Sequence, residues 1–203
     1  MKTWPWCIFL MILCCFGNTN VKIGDLSIDP KKRSITFPAK INQHGEIAEF
    51  LLVHETGKTH EALFSCATSA VQLNAALNLL GLKSNQDNQT VIPALPSLEK
   101  LPTLKVLVST DQKKWHLATD YITYKGSKEP PSPHPWRYTG SYFYKDKFMA
   151  QVEGDLIAIY TSINALITMN HPDRKDDLQW FSNTKVLGKK GDLVYLKIRV
   201  DEK

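Results

Sequence analysis

The residue pair best suited to chemistry is His60 and Glu61, in the run Gly-Lys-Thr-His-Glu-Ala-Leu at 57–63. A histidine beside a carboxylate can transfer protons or bind a metal ion. On a strand, however, neighbouring side chains point to opposite faces, so the two cannot both serve one site there. The structural alternative is a hairpin in which His54 lies opposite Glu61 as a cross-strand polar pair. The pattern favours this structural role for at least one of the two residues.

A second candidate is the pair Gly140 and Ser141, where glycine would allow close backbone approach and serine would be the nucleophile. The nucleophile elbow needs the pattern G-x-S-x-G, but Thr139 and Phe143 occupy its two glycine positions. Serine catalysis is therefore the less favoured role for Ser141. The candidate functional residues predicted from the sequence are Gly57, Lys58, His60, Glu61, Gly140 and Ser141.

The sequence predicts no metal site and no cofactor. The pattern HExxH is absent because Ala-Leu-Phe follows Glu61, and neither a phosphate-binding P-loop nor G-x-G-x-x-G occurs. Three of the four cysteines lie before residue 16, which leaves Cys66 alone in the rest of the chain. A single thiol cannot hold an iron–sulfur cluster or form an internal disulfide. Its apolar neighbours predict a buried, unreactive side chain.

Residues 1–17 are typical of a signal peptide. Lys2 precedes an uncharged run from Trp4 to Phe16, whose 13 residues are too few to cross a bilayer as a helix. Gly17 supplies the small residue required before a cleavage point. We therefore expect an exported protein, periplasmic or extracellular. A lipid anchor at Cys14 or Cys15 is less favoured, because bulky residues precede both.

The charge pattern gives little indication of a charged partner. The net charge of +5 is too small to indicate nucleic-acid binding. The short basic runs at 31–33 and 189–190 are typical of solvated turns. Beyond the signal peptide no run approaches 18 apolar residues, so the sequence predicts no further membrane-spanning segment.

One main helix, at 68–80, and a short helix at 162–170 are predicted among strands. Ser69 and Gln72 match a capping box, and Leu73 and Leu77 begin an apolar stripe at helical spacing. The short helix is expected to end before a proline. Short apolar runs predict the strands, including a hairpin of 49–55 with 60–66 whose turn places Gly57 at positive φ. The fold class predicted is α+β, a single domain over 18–203 with a mostly antiparallel or mixed β-sheet. Two short strands around a turn at 29–32 are predicted within 27–37, and one or two within 115–124. The other predicted strands are 104–108, 137–144, 148–152, 156–160 and 193–200.

Several motifs, taken in order, resemble those of the YdjY-like domain family. They occur at 57–63, 73–82, 138–141, 153–158, 180–183 and 188–200. The family consists of secreted or lipid-anchored bacterial proteins, so the resemblance implies export and a single domain over most of the mature chain. It implies no catalytic residue.

Two functions from different classes follow. The first is a non-enzymatic binding or structural module of the cell envelope, whose partner is an envelope protein or a glycan. The second is a periplasmic hydrolase-type enzyme, which requires His60, Glu61 and Ser141 to meet in one cleft. Three aromatic residues are candidates either for a contact surface or for the core, namely Trp136, Tyr138 and Tyr142.

Overall fold

The longest strands of the protein form where apolar and polar residues alternate. A computed structural model describes residues 20–43, 45–83, 88–89, 91–94, 97–125 and 136–201. The predicted signal peptide at 1–17, with Cys14 and Cys15, lies outside the described residues. The strands are β1 Val21–Ile23, β2 Leu26–Asp29, β3 Ser34–Ile41, β4 Phe50–His54, β5 Ala62–Cys66, β6 Asn88–Gln89, β7 Thr103–Ser109, β8 His116–Leu117, β9 Ile122–Tyr124, β10 Trp136–Tyr138, β11 Phe143–Tyr144, β12 Lys147–Phe148, β13 Asp155–Ala158, β14 Ile167–Met169, β15 Trp180–Ser182 and β16 Leu193–Val200. The helices are α1 Ala70–Leu79 and α2 Met149–Glu153, and 3₁₀ turns lie at Thr59–Glu61, Leu98–Lys100, Ala118–Tyr121 and Asp177–Gln179.

Eight strands close into a barrel in the order β3, β16, β7, β10, β14, β13, β4 and β5. The ring closes where β5 pairs with β3, with Lys40 opposite Ser65 and Ile41 opposite Phe64. Strands β1 and β2 extend the sheet beyond β3. The prediction of an α+β fold with one main helix is therefore wrong, and the fold is a mostly-β barrel. Closure depends on pairing between distant strands, which local alternation does not encode.

Alternation along β3, β7 and β16 separates the inside of the barrel from its outer face. In β16, Leu196 and Ile198 are fully buried, whereas Lys197 is half-buried and Arg199 is exposed. Register places Lys197 beside Thr36 on β3 and beside Leu107 on β7. The outer residues of three neighbouring strands therefore form one continuous surface.

Strands β4 and β5 pair in parallel, so the predicted antiparallel hairpin of 49–55 with 60–66 is wrong. Phe50 lies opposite Ala62, and His54 lies opposite Cys66. The connection doubles back through the 3₁₀ turn Thr59–Glu61 before β5 begins. Almost every residue of both strands is buried, and such runs carry no alternation that would indicate direction.

The short helix predicted at 162–170 is also absent. Its second half is strand β14, which pairs with β10 on one side and β13 on the other. Both neighbours bury this strand, and a fully buried strand and a buried helix give the same short apolar run. The strand predicted at 148–152 is instead mostly helix α2, which ends at Gly154 with φ +74°.

Helix α1 lies within the predicted range 68–80 and begins with the predicted capping box. Ser69 Oγ accepts the Gln72 backbone N–H at 3.2 Å, and Gln72 Oε1 accepts the Ser69 N–H at 3.1 Å. Tyr138 donates its hydroxyl hydrogen to Asn74 Oδ1 at 2.5 Å, which ties the helix to β10. With its 10 residues, α1 is too short to cross a bilayer, and no other described helix is long and apolar enough to do so.

Cys66 is expected to resist alkylation in the folded protein. Its side chain is buried at the end of β5, and burial raises the pKa of the thiol to about 12. The reactive thiolate is therefore scarce at pH 8. Mass spectrometry should show little iodoacetamide on the peptide containing Cys66 under native conditions, and rapid labelling in denaturant. Equal labelling rates in the two conditions would contradict the buried placement.

Candidate functional site

Two motifs that are distant in sequence meet where Gly57 packs against Gly154. The His54 N–H donates to the Gly154 carbonyl oxygen at 2.8 Å. A Cβ on Gly154 would lie 3.1 Å from Gly57 Cα, and one on Gly57 would lie 3.2 Å from the Glu153 carbonyl oxygen. Gly154 has positive φ, whereas Gly57 does not, so the prediction of positive φ at Gly57 is wrong. Close backbone contact explains the glycine at position 57.

Beside this contact, Lys58 forms an ion pair with Asp155. The Lys58 Nζ atom lies 3.1 and 3.2 Å from the two carboxylate oxygens of Asp155. It also lies 3.3 Å from Glu153 Oε2 and 5.3 Å from the centroid of the Phe50 ring. Ser162 donates its hydroxyl hydrogen to Asp155 Oδ2 at 2.9 Å. The Asp155 side chain is 1% exposed, so protein groups satisfy a carboxylate that water does not reach.

The electrostatics of this ion pair keep Lys58 protonated. Burial alone lowers its pKa, but the attraction and hydrogen bonds of Asp155 and Glu153 together outweigh burial and leave the pKa raised. Burial raises the pKa of Asp155, and the positive charge of Lys58 opposes that increase. A protonated lysine cannot accept a proton as a general base. The arrangement therefore joins two barrel segments and offers no activated group.

His60 and Glu61 contact each other, with His60 Nε2 3.2 Å from Glu61 Oε1. The expectation that they face opposite ways assumed a strand, whereas both belong to the 3₁₀ turn. The His60 side chain is 76% exposed. The predicted pairing of His54 with Glu61 is wrong, because the parallel register of β4 and β5 places His54 opposite Cys66. The ring Nδ1 of His54 shares a hydrogen bond with Thr56 Oγ1 at 2.8 Å.

Gly140 and Ser141 position the start of helix α2. Both have positive φ, +75° and +57°, and Ser141 is buried. Ser141 Oγ accepts the Ala150 N–H at 3.0 Å, which satisfies a donor in the first turn of the helix. The contacts of Ser141 therefore join it to α2, whereas those of His60 join it to Glu61. The three aromatic residues with open roles are buried in the core, namely Trp136, Tyr138 and Tyr142.

Ser141→Ala is expected to lower the free energy of unfolding by about 1–2 kcal/mol, because the buried N–H of Ala150 loses its acceptor. His60→Ala should change it by less than about 0.5 kcal/mol, since an exposed side chain contributes little. Urea unfolding of both variants measures the difference. Unchanged stability of Ser141→Ala would contradict the capping role and favour a chemical one.

Sequence reasoning missed Asp155 and Ser162 as partners of Lys58. A signal was present, because Asp155 begins the apolar run Asp-Leu-Ile-Ala-Ile at 155–159 and a charge inside a buried strand is normally paired. The side chain that pairs with it is 97 residues away in the chain, which the sequence does not reveal. Within the described ranges, no three His, Cys, Asp or Glu side chains are grouped to hold a metal ion.

A second candidate site is an open groove of about 650 Å³ on the outer face of β3, β7 and β16. We call it the basic groove. The sequence predicted a solvated turn at residues 31–33. In the barrel this turn lies beside the end of β16, where the Val200 N–H donates to the Arg33 carbonyl oxygen at 3.0 Å. The residues that line the groove are Lys31, Lys32, Arg33, Ser34, Leu107, Trp115, Lys197, Arg199, Val200 and Asp201.

Lys197 and Trp115 lie at the centre of the basic groove. The Lys197 Nζ atom lies 3.8 Å from the centroid of the Trp115 ring, and the Trp115 indole N–H donates to the Gln112 carbonyl oxygen at 3.1 Å. Burial lowers the pKa of Lys197, and the positive charges of Lys32 and Arg199 lower it further. The groove therefore concentrates positive charge that the protein's own carboxylates do not fully offset.

Comparison with known proteins identifies the family of this chain. A family model described as the YdjY domain matches residues 26–199, which is most of the chain. No curated protein and no solved structure matches the chain. The match covers all eight strands of the barrel except the last residue of β16, and it includes Gly57 and Gly154. The chain therefore belongs to the YdjY domain family.

Proposed function

We propose that this protein is an exported domain of the bacterial cell envelope that acts by binding and not by catalysis. The observation that carries the proposal is the basic groove, an open surface where cationic side chains surround a tryptophan. Such a combination of charge and aromatic surface suits a ligand larger than a single ion. Of the two partner classes, envelope protein or glycan, the groove favours a glycan.

The hydrolase alternative has weaker support from the same contacts. Its nucleophile, Ser141, already accepts a backbone hydrogen bond from α2. Its proposed base, His60, is exposed in a turn and contacts Glu61 instead. Lys58, the remaining basic candidate, is held protonated by Asp155. These three groups have separate structural contacts, so none is arranged to activate another.

Export is tested by fractionating cells that produce the protein with its natural N-terminus. We expect it outside the cytoplasm, with a mature N-terminus at or near Asn18. Leu10→Arg places a charge within the uncharged run and should retain the protein in the cytoplasm at full length. Lys83→Arg is the matched control and should leave export unchanged. A wild-type protein that stays in the cytoplasm with Met1 in place would overturn this proposal.

A further inference from the structure

We propose that the basic groove binds a linear acidic polysaccharide that carries carboxylate groups along its chain. The inference deepens the proposed binding function and rests on it. The ligand would lie across the outer face of β3, β16 and β7, with its carboxylates beside Lys32, Lys197 and Arg199.

The charge of the groove selects an anion. Five cationic residues and one acidic residue, Asp201, line it, and one of the five, Arg33, donates from its guanidinium to the Leu80 carbonyl oxygen at 3.3 Å. Asp201 lies 3.9 Å from Arg199, the limit of an ion pair, and Asp29 lies 3.2 Å from Lys32. Register also places Lys105 opposite Arg199, which extends the positive surface. A carboxylate beside these groups would form charge-assisted hydrogen bonds and relieve their mutual repulsion.

The extent of the groove selects a chain over a single ion. A second depression of about 310 Å³ adjoins the first and shares Lys32, Ser34, Trp115 and Lys197 with it. Hydroxyl and amide groups line this part and can hydrogen-bond sugar hydroxyls. They belong to Ser27, Thr36, Gln112 and Tyr195. The carboxylates of Asp25 and Asp29 also line this second depression, where they can accept hydrogen bonds from sugar hydroxyls. Cations at one end and groups that bind hydroxyls at the other suit a polymer rich in hydroxyl groups, whose own carboxylates lie at the cationic end.

The contact between Trp115 and Lys197 favours a polysaccharide over a nucleic acid. Proteins that bind single strands stack bases on the free faces of aromatic rings. Here the ammonium group of Lys197 covers one face of Trp115, so that face is closed to a base. The same contact fixes the position of the Lys197 charge. The groove thus presents fixed cations and polar groups, which fit carboxylates and hydroxyl groups.

The test is calorimetric titration of the purified protein with a galacturonate oligosaccharide at low ionic strength. The same oligosaccharide with methyl-esterified carboxylates is the uncharged comparison. Lys197→Gln/Arg199→Gln removes two charges from the groove and keeps long polar side chains. Lys189→Gln/Lys190→Gln is the matched control, because it removes two exposed charges from the turn before β16. A DNA duplex and a single-stranded DNA serve as competing polyanions.

We expect the galacturonate oligosaccharide to bind, the esterified form not to bind, and added salt to weaken binding. The groove variant should bind about tenfold more weakly or worse, and the control variant within about twofold of wild type. Absence of binding, equal losses in the two variants, or tighter binding of either DNA would overturn the inference. If the protein is exported but does not bind the oligosaccharide, only the proposed ligand class is refuted. If the protein stays in the cytoplasm, the proposed function itself is refuted.

Discussion

Lys58→Met is expected to lower the free energy of unfolding by about 3 kcal/mol, because it leaves the Asp155 carboxylate buried with Ser162 as its remaining side-chain hydrogen-bond donor. The methionine keeps most of the hydrocarbon that packs beside Phe50, so the loss reports mainly the missing charge. Urea unfolding at neutral pH measures it. The folded fraction of the variant should bind the galacturonate oligosaccharide as the wild type does.

Two further variants separate a buried ion pair from simple loss of packing. Lys58→Met/Asp155→Leu removes both charges and should recover most of the lost stability, since an apolar pair needs no solvation. Glu153→Gln removes the more exposed partner of Lys58 and should cost less than about 1 kcal/mol. If the double variant is no more stable than Lys58→Met, the ion pair is not what determines stability here.

Gly154→Val is expected to cost about 3 kcal/mol or more, or to prevent folding. A β-branched residue at φ +74° is strained, and its Cβ would lie 3.1 Å from Gly57 Cα. Gly81→Val is the matched control, since Gly81 also has positive φ, +86°, but a Cβ there would meet nothing within 4 Å. The free energy of unfolding should therefore fall less in the control, because backbone strain is its only cost. Thermal unfolding of both variants measures the difference, and equal losses would rule out a role for the glycine contact.

The sequence predicted best those elements whose surroundings differ from one face to the other. The last strand, β16 Leu193–Val200, has the predicted bounds because it alternates between the core and the outer face. Helix α1 was predicted from its capping box and apolar stripe, which are local signals. The two short strands predicted within 27–37 are also present, as β2 Leu26–Asp29 and β3 Ser34–Ile41.

Elements buried on both sides were not predictable in this way. In β4, β5 and β14 nearly all residues are buried, so the sequence shows an apolar run without a period. Neither strand direction nor the distinction between strand and helix follows from such a run. The α+β prediction failed for that reason, because barrel closure depends on these strands.

The functional surfaces depend on the same distant pairing. Lys58 was among the candidate residues, but its partner Asp155 comes from a strand that only the barrel brings near. The basic groove combines the turn at 31–33 with Lys197 and Arg199 from the last strand. The sequence showed each basic group separately, and each alone is typical of a solvated turn or strand edge.

The most direct test of the central claim is to map the bound ligand by NMR on isotope-labelled protein. Titration with the galacturonate oligosaccharide should shift the Trp115 indole N–H and the backbone amides of Lys32, Lys197 and Arg199. The chemical shifts of the backbone amides of Lys58, His60 and Ser141 should change no more than those of buried core residues far from the groove. Shift changes concentrated around Lys58, His60 and Ser141, with the outer face of β16 unchanged, would contradict binding at the basic groove. They would place the ligand near the contact between Gly57 and Gly154 instead.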